Sequence, residues 1–296
     1  MASRDLVALL SGVPQITPPA ALRFVHHDGY TAVLGRSGFS RLMGATRKAM
    51  IRGAVTRQQQ IEALMAGGTV LPVLPGTRIT AAEVPAFVET NRAFLDRATA
   101  ELAGHVQFQV AVIWDEEEGS LHFGGDSAAA PEVTASTLRD RMTDLLDTVT
   151  RDRIDLPRSA ETLLNTVVLL PAEAEVRLDA VVEQIDAIWS EGLTIRLVGP
   201  SPALSFCSLG IRRVTGAELK AARAAMSLSE RALPDEIAAA RHQMLKSAAP
   251  EMVETLKDAA TVVSAASCWQ GGMPMLLAYR WREGIAADPT LLKRVA

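Results

Sequence analysis

The residues that could do chemistry are few. Gly199-Pro-Ser201-Pro-Ala203 stands one residue short of the Gly-x-Ser-x-Gly nucleophile elbow. An elbow sets its serine on a tight turn running into a helix whose N–H groups support an oxyanion. Here prolines on both sides of Ser201 remove the following N–H and oppose helix entry, and only His242 could serve as a downstream base. A rigid turn is the stronger reading of these residues. The histidines His26, His27, His105, His122 and His242 show neither HxH nor HExxH spacing, so no metal-ligand pattern emerges. Asp115 to Glu118 is a run of carboxylates without the glycine-broken loop of a calcium site. Gly67-Gly68 and Gly271-Gly272 lack the Lys-Ser/Thr of a phosphate loop and read as caps and turns. Cys207 and Cys268 belong to no CxxC pair, and Cys207 reads as a small buried hydrophobe. No catalytic residue, cofactor site or metal site is expected.

The elements that hold these residues suggest an α+β protein. Residues 1–20 are weakly patterned, and Pro14, Pro18 and Pro19 argue for an irregular entry. Leu22 to Leu34 reads as a hairpin about Asp28-Gly29. A helix at 53–66 ends at Gly67-Gly68, and a strand at 69–74 follows. Helical spacing over 81–102 starts at Thr80, with Glu83 completing a capping box. His105 to Trp114 alternates as a strand with Gln107 and Gln109 outward. The polar stretches Asp115 to Ser120 and Gly124 to Pro131 read as a linker or long surface loop, and helix 136–150 as a bridge. A strand at 165–170, a helix at 174–190 carrying Leu178, Val181, Val182, Ile185, Ile188 and Trp189, and a strand from Leu193 make a βαβ unit. Gly199-Pro200-Ser201-Pro202 is expected to stop that last strand, with Phe206 anchoring the chain again. Residues 216–296 read as alanine-rich helices, the last carrying Leu276, Leu277, Tyr279 and Trp281. The expected division is an N-terminal α+β domain at 1–114, a linker and bridging helix at 115–155, a second α+β domain at 156–214, and a helical region at 215–296.

Bulk properties exclude several classes. A net charge of −4 and a pI near 5.8 give no basic field for nucleic acid or anionic lipid. The start of the chain has too short an apolar core for a signal peptide, and no apolar run approaches the ~18–20 residues that span a bilayer. The two cysteines fit cytosolic thiols. A soluble cytoplasmic protein is expected.

Two proline-stiffened strand ends carry a resemblance. Val70-Leu-Pro-Val-Leu-Pro-Gly-Thr77 resembles the "vLPvrFGT" segment of the gas vesicle GvpL/GvpF family, and Gly199-Pro-Ser-Pro-Ala-Leu-Ser-Phe206 resembles its "GPWPPYSF" signature. Ala86 to Asp115, and Leu163 to Pro171 with the helix after it, are similar to the family layout in order and spacing, so the likeness covers residues 22–210. Pro75, Ser201 and Leu204 stand where the family has phenylalanine, tryptophan and tyrosine, and the family's aromatic first strand is not clear in residues 1–20. Ala221 to Pro250 resembles a degenerate J-domain in which Ala248-Ala249-Pro250 replaces the His-Pro-Asp triplet, so no co-chaperone activity is expected. The resemblance implies two ferredoxin-like α/β-layer halves followed by an α-helical C-terminal region. It also implies a non-enzymatic accessory protein of gas vesicle assembly, or a minor vesicle component. Its partners would be the shell protein GvpA and other vesicle accessory proteins. The residues that carry it are Leu71, Pro72, Gly76, Thr77, Gly199, Pro200, Pro202 and Phe206, candidates for structural or interaction roles. A small-metabolite-binding regulatory α+β protein is the alternative, and a hydrolase using Ser201 a third reading.

Overall fold

The computed structural model describes residues 2–36, 46–115, 117–119, 122, 131–159, 161–269 and 271–282. The chain opens with strands β1 (Arg4–Ser11), β2 (Leu22–His27) and β3 (Tyr30–Gly35) and helix α1 (Arg47–Glu62). Strands β4 (Val70–Pro72) and β5 (Arg78–Ile79) precede helices α2 (Val84–Thr90) and α3 (Arg92–Leu102). Then come β6 (His105–Trp114), α4 (Pro131–Asp147), β7 (Asp152–Asp155), β8 (Thr162–Pro171), α5 (Glu175–Asp186) and β9 (Leu193–Ser201). The chain continues through β10 (Ser208–Val214), α6 (Gly216–Ala225), α7 (Pro234–Ser247), α8 (Val253–Cys268) and β11 (Met275–Trp281). None of the described helices is long and apolar enough to cross a membrane. The α+β class with C-terminal helices is as expected.

The chain forms two units. One joins Met1–Glu101 to Leu209–Arg280; the other is built from Leu102–Ser208. The expected bounds, drawn consecutively along the chain, cross this division. Strand β6, placed with the N-terminal half by its position in sequence, is instead an inner strand of the second unit's sheet. Antiparallel pairing with both β8 and β9 puts it there, with Val110 opposite Thr166 on one side and Leu197 on the other.

In the first unit the sheet order is β2-β3-β1-β4, with β5 also pairing β1, all antiparallel. The expected irregular entry is in fact the central strand. Leu6, Val7, Ala8, Leu9 and Leu10 are all buried. A strand covered on both faces shows no polar alternation, which is why its pattern is weak. The prolines at 14, 18 and 19 lie beyond its end. The hairpin about Asp28-Gly29 is present, His27 pairing with Tyr30.

The long helix expected over 81–102 breaks at Asn91. This buried side chain donates to the Phe87 carbonyl at 2.7 Å and to the Leu276 carbonyl at 2.8 Å, and accepts from the Ala278 N–H at 2.8 Å. The last two of these partners lie on β11, where a helix was expected. Met275 to Ala278 are buried on both faces, so their spacing carries no helix-or-strand information. Helices α6, α7 and α8 pack round Leu219, Met226, Ile237, Ala260 and Val263. Thr215 caps α6 in a capping box with Glu218. Buried Arg212 holds the carboxylates of Glu218 and Asp258.

In the second unit the elements run β6-α4-β7-β8-α5-β9 and the sheet order is β7-β8-β6-β9. That is the βαββαβ order of a ferredoxin-like layer. The expected bridging helix is α4, the first helix of this motif, and it packs on α5 and β8. Of the expected linker, Asp115, residues 117–119 and Pro131, which begins α4, are described, and residues 116, 120 and 124–130 lie outside the described residues. On α5, Leu178, Val181 and Ile185 are buried, while Ile188 and Trp189 lie past the helix end and are half-buried. Gln107, expected to face solvent, is buried and accepts from the Ser205 N–H at 3.0 Å.

Candidate functional site

The first proline-stiffened corner grows from β4, an edge strand on β1. Leu71 is buried opposite Leu9, and Pro72 lies opposite Ala8 at a position where an edge strand tolerates a residue without N–H. The chain then leaves the sheet through Val73, whose N–H reaches the Val7 carbonyl at 3.1 Å, and Leu74, whose N–H reaches the Leu209 carbonyl at 2.8 Å. Exposed Gly76 takes φ +86° at the tip, and Thr77 closes the turn through its hydroxyl to the Leu74 carbonyl at 2.8 Å. The Arg57 guanidinium gathers the carbonyls of Val7 at 3.2 Å and Val73 at 2.5 Å. Burial lowers its pKa, opposed by the charge of Asp5. Beyond the turn, Glu83 is the cap residue of α2, the role expected of Thr80. Its carboxylate accepts from the Thr80 N–H at 2.7 Å, the Thr80 hydroxyl at 2.9 Å and Arg213 at 3.0 Å. Burial raises the Glu83 pKa, but these donors outweigh it and the net shift is downward.

The second corner lies in the other unit. β9 runs through Gly199 and Pro200 and ends at Ser201, within the expected stop at Gly199 to Pro202. Val198 pairs with Gln109 and Ser201 with Gln107, so three residues of β9 span two steps of β6: a bulge. The Gly199–Pro200 bond is cis and Gly199 has φ +153°. A Cβ on Gly199 would lie 2.5 Å from Phe108 Cδ1 and 2.9 Å from the Gln107 carbonyl oxygen. Pro202 and Ala203 turn inward, and the N–H groups of Phe206 and Cys207 both reach the Ala203 carbonyl, at 3.2 and 2.9 Å. Phe206 is fully buried, with the Arg282 guanidinium 5.6 Å from its ring centre. Cys207 is buried as expected.

Of the eight sequence-predicted residues, Leu71, Pro72, Pro202 and Phe206 are buried and shape the corners. Thr77 is half-buried, and Gly76, Gly199 and Pro200 are exposed at the tips. Ser201 is buried in the strand, its hydroxyl 3.5 Å from the Gln107 carbonyl. That acceptor is a main-chain carbonyl, whereas an activated serine hydrogen-bonds a general base.

No group of three or more potential metal ligands occurs among the described residues. His27 bonds Glu89 at 2.9 Å, His26 bonds Thr31 at 2.8 Å, and His122 stacks on Trp189 at 4.9 Å. Asp115 accepts from the N–H groups of Glu117 and Glu118, so it caps a turn. A cleft of about 980 Å³ lies between α4 and the β7–β8 segment. Arg139, Arg153 and Arg158 share its lining with Asp140 and Asp155.

One surface feature went unread in the sequence. β9 is an edge strand among the described strands, and it leaves Leu197 36% and Val198 56% exposed. The alternation at Leu193, Ile195 and Leu197 implied burial of that row; only the sheet order shows that β9 has a single neighbour.

The family model described as gas vesicle synthesis protein GvpL/GvpF matches residues 8–141 and 127–208. Two crystal structures share the fold. The gas vesicle protein GvpF from Anabaena sp. PCC7120 is 19% identical, with a TM-score of 0.51 over 69% of this chain and 97% of that one. GvpF from Microcystis aeruginosa is 19% identical, with a TM-score of 0.53 over 69% of this chain and 98% of that one. No curated protein sequence matches the chain.

Proposed function

Since the chain belongs to the GvpL/GvpF family of gas vesicle synthesis proteins, with a role in vesicle assembly, we propose that it acts there without catalysis, by binding the shell protein GvpA and other accessory proteins. The observation that carries this reading is the family match over residues 8–208, which contains both corners. Physical features support it. The one elbow-like serine is tied to a carbonyl. Among the described strands β9 has a single neighbour, and its outer edge is flanked by the exposed Leu197 and Val198. Such an edge can receive an extended segment of a partner by strand addition. A shell subunit prone to self-association needs its own edges covered before polymerisation. In this reading Gly76, Gly199 and Pro200 present the corner tips to partners, and Leu71, Pro72, Thr77, Pro202 and Phe206 hold those tips in shape.

Co-sedimentation with purified GvpA, and light microscopy of a gene-deletion strain for refractile vesicles, test the reading. Binding to GvpA and loss of vesicles are the expected results. A deletion strain with normal vesicles and no association with GvpA or any other vesicle protein would sink it. A second reading, regulation by a small metabolite, rests on the polar cleft beside α4. A metabolite that raises the melting temperature, with the gain lost in Arg139→Ala, would favour it.

A further inference from the structure

The helical part of the first unit carries a groove that the family match, ending at residue 208, does not reach. It lies between α7 and α8 and measures about 560 Å³. On α7 two adjacent rows face it, Ile237-Arg241-Leu245 and Ala238-His242-Lys246, each at spacing i, i+4, i+8. The opposite wall is Ser264 and Ser267 of α8, and these small side chains leave the trough open. The Ser267 hydroxyl is spent on the Ser264 carbonyl at 2.7 Å. Ile237 is buried beneath the groove and Leu245 half-buried, so the floor is apolar. Leu233, 65% exposed, adjoins Pro234 at one end and prolongs the apolar surface.

The charges along this groove are of one sign. Arg241 and Lys246 line it beside the His242 imidazole, and among the described residues no carboxylate does. None of the three has an ion-pair partner among the described residues, in a chain of net charge −4. We propose that this groove is a docking site for an acidic amphipathic helix of a partner protein. Apolar side chains of that helix would sit over Ile237, Ala238 and Leu245, and its carboxylates would meet Arg241, Lys246 and His242. Each row extends over nine residues of α7, about 12 Å of helix, which matches two turns of a helix laid into a helix–helix groove. The inference is independent of GvpA binding, because it concerns residues outside the family match.

The test uses the full chain and fluorescent synthetic helices of about 15 residues. One has a leucine stripe flanked by glutamates, a second has lysines in place of the glutamates, and a third keeps the glutamates but scrambles the stripe. Fluorescence anisotropy is expected to show binding of the first alone. Arg241→Glu/Lys246→Glu should weaken it about tenfold or more, and Ser267→Leu, which fills the trough, should abolish it. Circular dichroism checks that each variant is folded; where the double reversal is not, Arg241→Gln/Lys246→Gln replaces it. Failure of the first peptide to bind, equal binding of the lysine or scrambled peptide, or indifference to both substitutions would overturn the proposal. So would binding of phosphatidylserine vesicles through the same residues without binding of the peptide, which would assign the groove to a lipid surface.

Discussion

Gly199→Ala is the sharpest perturbation of the second corner, because the damage can be worked out in two parts. The first is conformational: alanine at φ +153° occupies a region that is nearly glycine's alone, at a cost of about 1–3 kcal/mol. The second is steric. The new Cβ would sit 2.5 Å from Phe108 Cδ1 and 2.9 Å from the Gln107 carbonyl oxygen. The ring is a buried side chain on the inner strand β6, and the oxygen is main chain, so neither yields freely. Overpacking of this kind costs about 1–3 kcal/mol. The expected loss is therefore about 2–6 kcal/mol. At roughly 4–8 °C per kcal/mol for a domain near 100 residues, 3 kcal/mol lowers the melting temperature of the second unit by about 12–24 °C. Gly76→Ala is the control. Gly76 also has positive φ, +86°, but its Cβ would meet nothing within 4 Å, leaving about 1–2 kcal/mol of strain alone. Calorimetry gives both values, and amide exchange shows where protection is lost: β6 and β9 should open first in Gly199→Ala, while β1 keeps its protection. Equal effects of the two substitutions, or a shift below about 3 °C for Gly199→Ala, would refute the reasoning.

Ser201→Ala removes a hydroxyl whose hydrogen bond is long, 3.5 Å, so chemical denaturation should register a loss of about 1 kcal/mol or less and vesicle formation should persist. Asn91→Ala strands the Leu276 carbonyl and the Ala278 N–H in the interior; at about 1–3 kcal/mol for each unpaired group, urea titration should show about 2–6 kcal/mol lost. The chain has two tyrosines, Tyr30 and Tyr279. Burial raises both; Tyr30 reaches about 12, with the Thr99 hydrogen bond opposing burial and Asp96 reinforcing it. A folded-state pKa above the unfolded value near 10 means that the contribution is complete below pH ~10 and lost as pH rises toward 12. Absorbance titration should therefore show both phenolates appearing above pH 10, that of Tyr30 only near pH 12, and appearance of half the total signal near pH 10 in folded protein would contradict the burial of the rings.

Local pattern was legible wherever one face of an element is wet. The hairpin about Asp28-Gly29, helix α5 with Leu178, Val181 and Ile185, and the capped start of α6 at Thr215 all present polar residues against an apolar row, so period and caps identify them. Elements buried on both faces were the ones misread. β1 shows a continuous run from Leu6 to Leu10, and β11 an apolar cluster that looked helical; without a wet face there is no period to read. Asn91 looked like one more polar helix residue until its three partners came into view, two of them on β11.

The two corners divide in the same way. Residue types alone determined that Leu71 to Thr77 and Gly199 to Phe206 are stiff, glycine-hinged segments ill-suited to nucleophilic catalysis, because proline removes N–H donors and fixes φ whatever surrounds it. Whether Gly199-Pro200 ends a strand or bulges within it was not a local matter. It was decided by β6, whose Gln109 and Gln107 take Val198 and Ser201 as partners and leave Gly199 against Phe108. The exposure of Leu197 and Val198 likewise follows from sheet order, since the side chains on an edge strand are covered only by what the rest of the chain brings to them.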